Sequence, residues 1–163
     1  MASGTDDNQK REQATQQDFA KILLLFAQFF KEDGCDIALY NLPTALAAML
    51  NDPGSAIFVA GHGVDVFGVA TVTTTSQGLE FGRYAELEDL YVIPEARKIG
   101  VGGVLIEQVK QWCREKGCTV LSIVVTSEAQ ATRNLMAYYQ KHGFQPSHRA
   151  TLFCRFDRQE PQL

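Results

Sequence analysis

The chain changes its hydrophobic rhythm more than once. Positions 1–13 are polar and small, with no apolar alternation, so a disordered tail is expected there and no recognisable first strand. Thr15-x-x-Asp18 then has the form of a capping box. Phe19, Ile22, Leu23, Phe26, Phe29 and Phe30 follow at helical spacing, which predicts a helix from about 16 to 31, ended by Gly34. That helix is apolar beyond one face. The excess must line a groove, meet a second copy or be covered from within. Pro43 is expected to open a shorter helix over 44–50, and Asn51-Asp52-Pro53-Gly54 to turn the chain.

From that turn the period is two. Segments 56–60, 66–75 and 79–92 read as strands of an antiparallel meander, with turns at GHGVD and at Ser76-Gln77-Gly78. After Pro94 the period becomes helical again. Val104, Leu105, Val109 and Trp112 share one side of a helix over 101–116, Glu107, Lys110 and Arg114 the other, and Gly117 stops it. Segment 119–125 reads as a buried strand, ATRNLMAYYQKHGF carries a helix ended by Gly143, and 151–156 reads as a last strand. A meander followed by a strand–helix–strand crossover places the chain in the α/β (α+β) class. The expected sheet is mixed and mostly antiparallel, with helices on both faces. No internal repeat is visible, and 14–163 reads as one domain.

Composition narrows the partners. The 163 residues are 45% hydrophobic and 21% charged, with net charge −4 and pI about 5.3. That balance argues against a nucleic-acid partner and suits a cationic ligand. The longest wholly apolar run, 22–27, falls far short of the roughly 20 residues of a spanning helix. The polar N-terminus has no secretory core. A cytoplasmic protein with no membrane partner is therefore expected. Four cysteines, Cys35, Cys113, Cys118 and Cys154, lack C-x-x-C spacing and read as free thiols. With His62, His142 and His148 equally scattered, no metal site is expected.

The chemistry concentrates between 86 and 103. Gly100, Gly102 and Gly103 sit where a strand becomes a helix. A helix start offers free N–H groups and a positive dipole end, and glycine lets an anion close to the backbone. Arg97 and Lys98 add charge, so a pyrophosphate is a natural guest. The dinucleotide fingerprint G-x-G-x-x-G lacks its third glycine here, and the P-loop ending Gly-Lys-Ser/Thr is absent. Glycines that merely allow a tight turn are the alternative.

RKIGVG, from Arg97 to Gly102, resembles the pattern Arg/Gln-x-x-Gly-x-Gly/Ala of the acetyl-CoA-dependent N-acetyltransferases known as the GNAT superfamily. LEDLYVIPEARKIGVGGVLIEQVKQWCREKG is similar to that family's central strand, pyrophosphate loop and following helix. YYQKHGF resembles its C-terminal Tyr-x-x-x-Gly-Phe signature, and the element order agrees over 16–156. The resemblance implies acetyl-CoA as co-substrate. It implies backbone pairing of Leu90, Tyr91 and Val92 with the pantetheine arm, and a pyrophosphate cradle from the amides of Ile99, Gly100, Val101, Gly102 and Gly103. It also implies that strands 79–92 and 119–125 splay to admit the cofactor. Two departures stand out. The usual first strand is not recognisable, and the position of a cofactor-touching Asn holds Thr132, with Asn134 displaced by two.

Acetyl transfer to an amine also needs proton transfer. An ammonium of pKa about 10.4 costs roughly 4 to 5 kcal/mol to neutralise at pH 7. Glu86, Glu88 and Asp89 are the candidate carboxylates; simple alternation puts Glu86 and Glu88 on one face and Asp89 with Leu87 and Tyr91 on the other, unless a bulge intervenes. LEDLYV is close to the form of this strand in spermidine/spermine acetyltransferases. That likeness implies Glu88 as base; Tyr139 aligns with the family's helix tyrosine, which implies it as acid for the departing thiolate, and Glu86 and Asp89 are expected to bind substrate. Tyr138, about 100° round the helix, then packs. The window 80–89 holds four acids and one base, which would attract a small cationic amine. An aminoglycoside ranks ahead of a polyamine. The alternative acceptor is a protein lysine or N-terminus, which predicts a groove between 37–42 and 146–150. A CoA-binding module without activity is a third class. The apolar first helix and an edge strand near Thr151 leave a homodimer open.

Overall fold

The computed structural model describes residues 9–34, 36–75, 77–152, 154 and 156. Five strands form one sheet in the order β1 (Gln9–Gln13), β2 (Ser55–His62), β3 (Asp65–Thr74), β4 (Tyr84–Val92) and β5 (Val120–Ser122). The first four are antiparallel to their neighbours, and β4 and β5 are parallel. Helices α1 (Phe19–Glu32) and α2 (Asp36–Asn51) lie on one face. Helix α3 (Val101–Glu115) and, beyond the short α4 (Ser127–Arg133), helix α5 (Leu135–Lys141) lie on the other.

The two cores follow from alternation in strands covered on both sides. Ile57, Val59 and Val69 meet Ile22, Leu25, Phe26, Leu42 and Leu46 under α1 and α2. Ala56, Phe58, Ala70 and Val72 meet Leu105, Ile106, Val109 and Trp112 under α3. Helix α1 is covered largely from within: Phe26, Phe29 and Phe30 stack on one another, Phe29 stacks on Tyr91 at 5.2 Å, and Leu24 faces outward.

Several expectations are corrected. Residues 9–13, placed by sequence in a disordered tail, form edge strand β1 on β2. Backbone pairing at an edge needs no apolar alternation, which is why the pattern hid it. Pro43 lies inside α2 and does not open it. An interior proline costs roughly 3 kcal/mol of helix, but burial of Leu42 and Leu46 on either side holds the helix together. Strand β4 begins at Tyr84, not at 79, because Gly78 donates to the Gly82 carbonyl (2.8 Å) and closes a turn. The helix over ATRNLMAYYQKHGF is two helices, broken where Asn134 adopts the left-handed conformation (φ 49°) that Asn tolerates. Strand β5 has three residues, and Ile123, Val124 and Val125 leave the sheet. The last strand over 151–156 is not formed at Thr151, Leu152, Cys154 or Phe156, and Leu152 and Phe156 are exposed. The capping box is present: Thr15 N–H donates to Asp18 Oδ2 (3.1 Å) and Gln17 N–H to Thr15 Oγ1 (3.3 Å). No helix among the described residues is long and apolar enough to cross a membrane.

Candidate active site

Strand β4 stays in register with β3 from Val92 to Asp89, which faces Thr71; the pairing then slips, and Val72 faces Leu87. Glu88 is the extra residue of this bulge. The slip resets the alternation. Ala85 and Leu87 are buried beneath α3, the partly buried Leu90 and Val92 pack against the same core, and Tyr91 packs on the α1 side. Asp89 therefore does not share Leu87's face. Thr71 Oγ1 donates to Asp89 Oδ2 (2.7 Å) and Thr73 Oγ1 to Glu88 Oε1 (2.6 Å). These threonines alternate with Ala70 and Val72, which face α3, so both carboxylates lie over the α1 face. Glu86, between Ala85 and Leu87, points the same way. The bulge thus collects all three acids on one face.

The C-terminus of α1 meets this face. Tyr91 Oη donates to Glu32 Oε1 (2.6 Å), and Arg97 Nη2 bridges Glu32 Oε2 (2.7 Å). Next along, Asp33 receives Arg133 of α4 at 2.6 Å. Burial would raise the Glu32 carboxyl, but the hydrogen bonds from Tyr91 and Arg97 and the charges of Arg97 and Arg133 outweigh it and hold it low. Asp89 goes the other way. Burial raises its carboxyl, the Thr71 hydroxyl opposes this, and the negative charges of Glu88 and Asp33 add to the rise.

Strands β4 and β5 pair only from Tyr84↔Val120 to Glu86↔Ser122. Beyond that point β4 turns through its bulge, β5 ends, and no described strand covers the outer edge of Leu90, Tyr91 and Val92. One group there is already engaged: the Val92 carbonyl accepts from Arg97 Nε (2.9 Å). Arg97, expected to face the glycine turn, thus turns back onto β4 and Glu32. After Pro94–Ala96 the chain makes a turn in which Lys98 (φ 67°) and Gly100 (φ 92°) are left-handed. Gly100 is the N-cap of α3 and no side chain caps it; a Cβ there would meet nothing within 4 Å. The first-turn amides of Val101, Gly102 and Gly103 have no side-chain cap, and the space around Gly100 is open, an arrangement that fits a phosphate group. Gly102 and Gly103 do something else as well. A methyl at Gly102 would run into the Tyr138 hydroxyl, and one at Gly103 would come within 2.9 Å of His142. These glycines let α5 lie against the start of α3.

Tyr139 is buried with Leu87 and Val109 and packs edge-on to Phe144 at 5.6 Å. Burial pushes its hydroxyl well above the ordinary tyrosine range, Tyr138 adds to this, and Arg133 opposes it. Tyr139 and Glu86 line one open cleft of about 1160 Å³ beside β5; Glu88 and Asp89 do not line it. Thr132 donates to the Glu128 carbonyl of its own helix (2.9 Å). Ile99 stands exposed on the turn. Cys113 is buried, its thiol pushed up to about 12 by burial and by neighbouring Cys118; Cys35 lies outside the described residues. Sequence reasoning missed Thr71, Thr73, Glu32, Asp33 and Arg133. One signal was legible: Glu32 and Asp33 put negative charge at a helix C-terminus, against the macrodipole.

The family model for the acetyltransferase (GNAT) family matches residues 17–144, and the chain belongs to that family. It is an acyltransferase that uses acetyl-CoA. It is 27% identical over 144 residues to an uncharacterised N-acetyltransferase, YhfO, of Bacillus subtilis (87% of this chain, 93% of that one). It is 25% identical over 124 residues to aminoglycoside N(6')-acetyltransferase type 1 of Klebsiella aerogenes (74% and 82%). Its fold superposes on aminoglycoside N-acetyltransferase AAC(6')-Iy in complex with CoA, with TM-score 0.73, 21% identity, and coverage of 90% and 94%.

Proposed function

We propose that this acetyltransferase acetylates a primary amine of a small polycation, an aminoglycoside first and a polyamine next. One observation carries the reading: Glu86, Glu88 and Asp89 share a sheet face with Glu32 and Asp33, beside the opening between β4 and β5. Such a face concentrates ammonium groups. The aminoglycoside-acetylating relative supports the choice of substrate.

Glu88 takes the ammonium proton, directly or through one water; its exposed bulge position leaves it open to a substrate. The neutral nitrogen attacks the acetyl carbonyl, the new C–N bond forms and the C–S bond breaks. Tyr139 gives its proton to the departing sulfur, and the second proton that the nitrogen sheds on becoming an amide returns through solvent to the Tyr139 oxygen. Acetyl-CoA supplies the activated acetyl group when bound. The outer edge of Leu90, Tyr91 and Val92 orients its arm, and the amides of Ile99 to Gly103, with Lys98 beside them, hold its pyrophosphate. A second assignment of the base has its own support: burial raises Asp89, and a general base works best with its pKa near the operating pH.

The test is thiol release from acetyl-CoA with a kanamycin-type aminoglycoside, spermidine and a lysine peptide. Turnover of either small polycation is expected. Turnover of the peptide alone would replace this reading with protein acetylation.

A further inference from the structure

We infer that Arg133 is a specificity-determining residue: its guanidinium occupies, on Asp33, the position a second ammonium of the acceptor takes, so full binding requires a polycation that displaces it. The inference rests on the cationic-amine reading above.

The placement comes from the topology. Asp33 caps the end of α1, which packs on the β4 side of the opening through Tyr91 and Glu32. Arg133 ends α4, which follows β5 on the other side. Their 2.6 Å bridge joins residues 100 apart in sequence and links the two sides of the opening. The Arg133 charge also helps hold Glu32 low and opposes the rise of Tyr139, so it acts on both the acids and the expected acid catalyst.

The bridge is suited to exchange. Both partners are partly exposed, with side-chain accessibilities of 45% for Arg133 and 35% for Asp33, and solvent-screened pairs of this kind add little to stability. Helix α4 has seven residues, buries none of them and adjoins the left-handed Asn134, so little packing opposes a shift of its end. What Arg133 leaves behind is a solvated carboxylate among other acids, a place that a second ammonium suits. The negative charges of Glu88 and Asp33 both act on Asp89. A monoamine neutralises the reacting position and leaves Arg133 in place. A polyamine or aminoglycoside brings a second cation to Asp33 and frees the arginine.

Calorimetric titration of the CoA-bound protein with spermidine and with n-butylamine tests this, on wild type, Arg133→Gln, Arg133→Lys and Asp33→Asn. Removal of the competing cation in Arg133→Gln should tighten spermidine by about two- to fivefold and leave n-butylamine unchanged. Arg133→Lys should behave as wild type. Asp33→Asn should weaken spermidine and flatten its salt dependence. A spermidine-to-butylamine ratio that stays the same in both Arg133→Gln and Asp33→Asn, with equal losses of melting temperature, would make the pair a mere strut and overturn the inference. Wild type that binds neither amine would overturn this inference and the proposed function together; wild type that binds spermidine without a response to Arg133→Gln would overturn the inference alone.

Discussion

At the start of α3 the polar groups without a side-chain cap are backbone amides, whereas along β4 the polar groups are carboxylates. The glycine turn needs only a left-handed Gly100, an uncapped helix start and small residues at 102 and 103 where α5 lies close. The acidic face needs a bulge at Glu88, threonines on β3 to receive two carboxylates, and the end of a helix from far back in the chain. The first region is a local conformation and suits one chemistry, an anion. The second is an assembly of distant residues and can be retuned by any of them. On the proposed reading, a cofactor site built from backbone tolerates sequence change elsewhere, while an acceptor site built from side chains sets substrate choice.

The comparison breaks most visibly through the carboxylates. Glu88→Gln should lower kcat by roughly 100-fold or more and leave acetyl-CoA affinity unchanged. Steady-state rates at saturating donor check this. If Asp89 is the base, Asp89→Asn shows that loss instead. Its raised carboxyl must be deprotonated to act, so wild-type kcat then falls as pH drops through that raised value and the variant loses this limb. Gly100→Val, a branched residue forced to φ 92°, should raise the acetyl-CoA KM by about 10- to 100-fold. The acceptor KM should stay within about twofold. Equal changes in both constants would mean that the two regions are one cooperative unit.

Smaller effects sharpen the same contrast. Thr71→Val leaves the half-buried Asp89 without its hydroxyl donor, so it should cost about 1 to 2 kcal/mol in chemical denaturation at pH 7. That hydroxyl lowers the Asp89 pKa, so the carboxyl should titrate higher in the variant, as followed by carbon NMR. Glu32→Gln should be the mildest. Glu32 is held below its ordinary value, so its stabilisation is present above that value and disappears as pH falls through the folded one. The variant should therefore melt a little below wild type at pH 7, by less than about 1 kcal/mol after screening, and equally with it once the pH has fallen below that depressed value.

Motifs that depend on near neighbours were legible. The RKIGVG turn, the Thr15–Asp18 capping box and the α3 amphipathic face each follow from residues a few positions apart. The elements that misled reading are those whose partners are distant. Strand β1 pairs with β2 through its backbone, α2 passes through Pro43 on the strength of core burial, and Asn134 breaks one expected helix into two. Pairing Glu88 with Tyr139 came from the resemblance; the structure adds that Tyr139 shares a cleft with Glu86, while the bulge gathers Glu86, Glu88 and Asp89 on the α1 face.

By itself the sequence determined the class of the fold and the glycine turn, because helix period, strand period and glycine conformation act over a few residues, and the resemblance of RKIGVG and YYQKHGF pointed to the family. Only the tertiary structure decided which way the acids of β4 point and which charges meet them. A single extra residue in one strand reverses the face of everything beyond it, and that slip is set by pairing with β3. The ion pair from Arg133 to Asp33 spans 100 residues of chain, a distance that only the packed sheet and helices bring down to 2.6 Å.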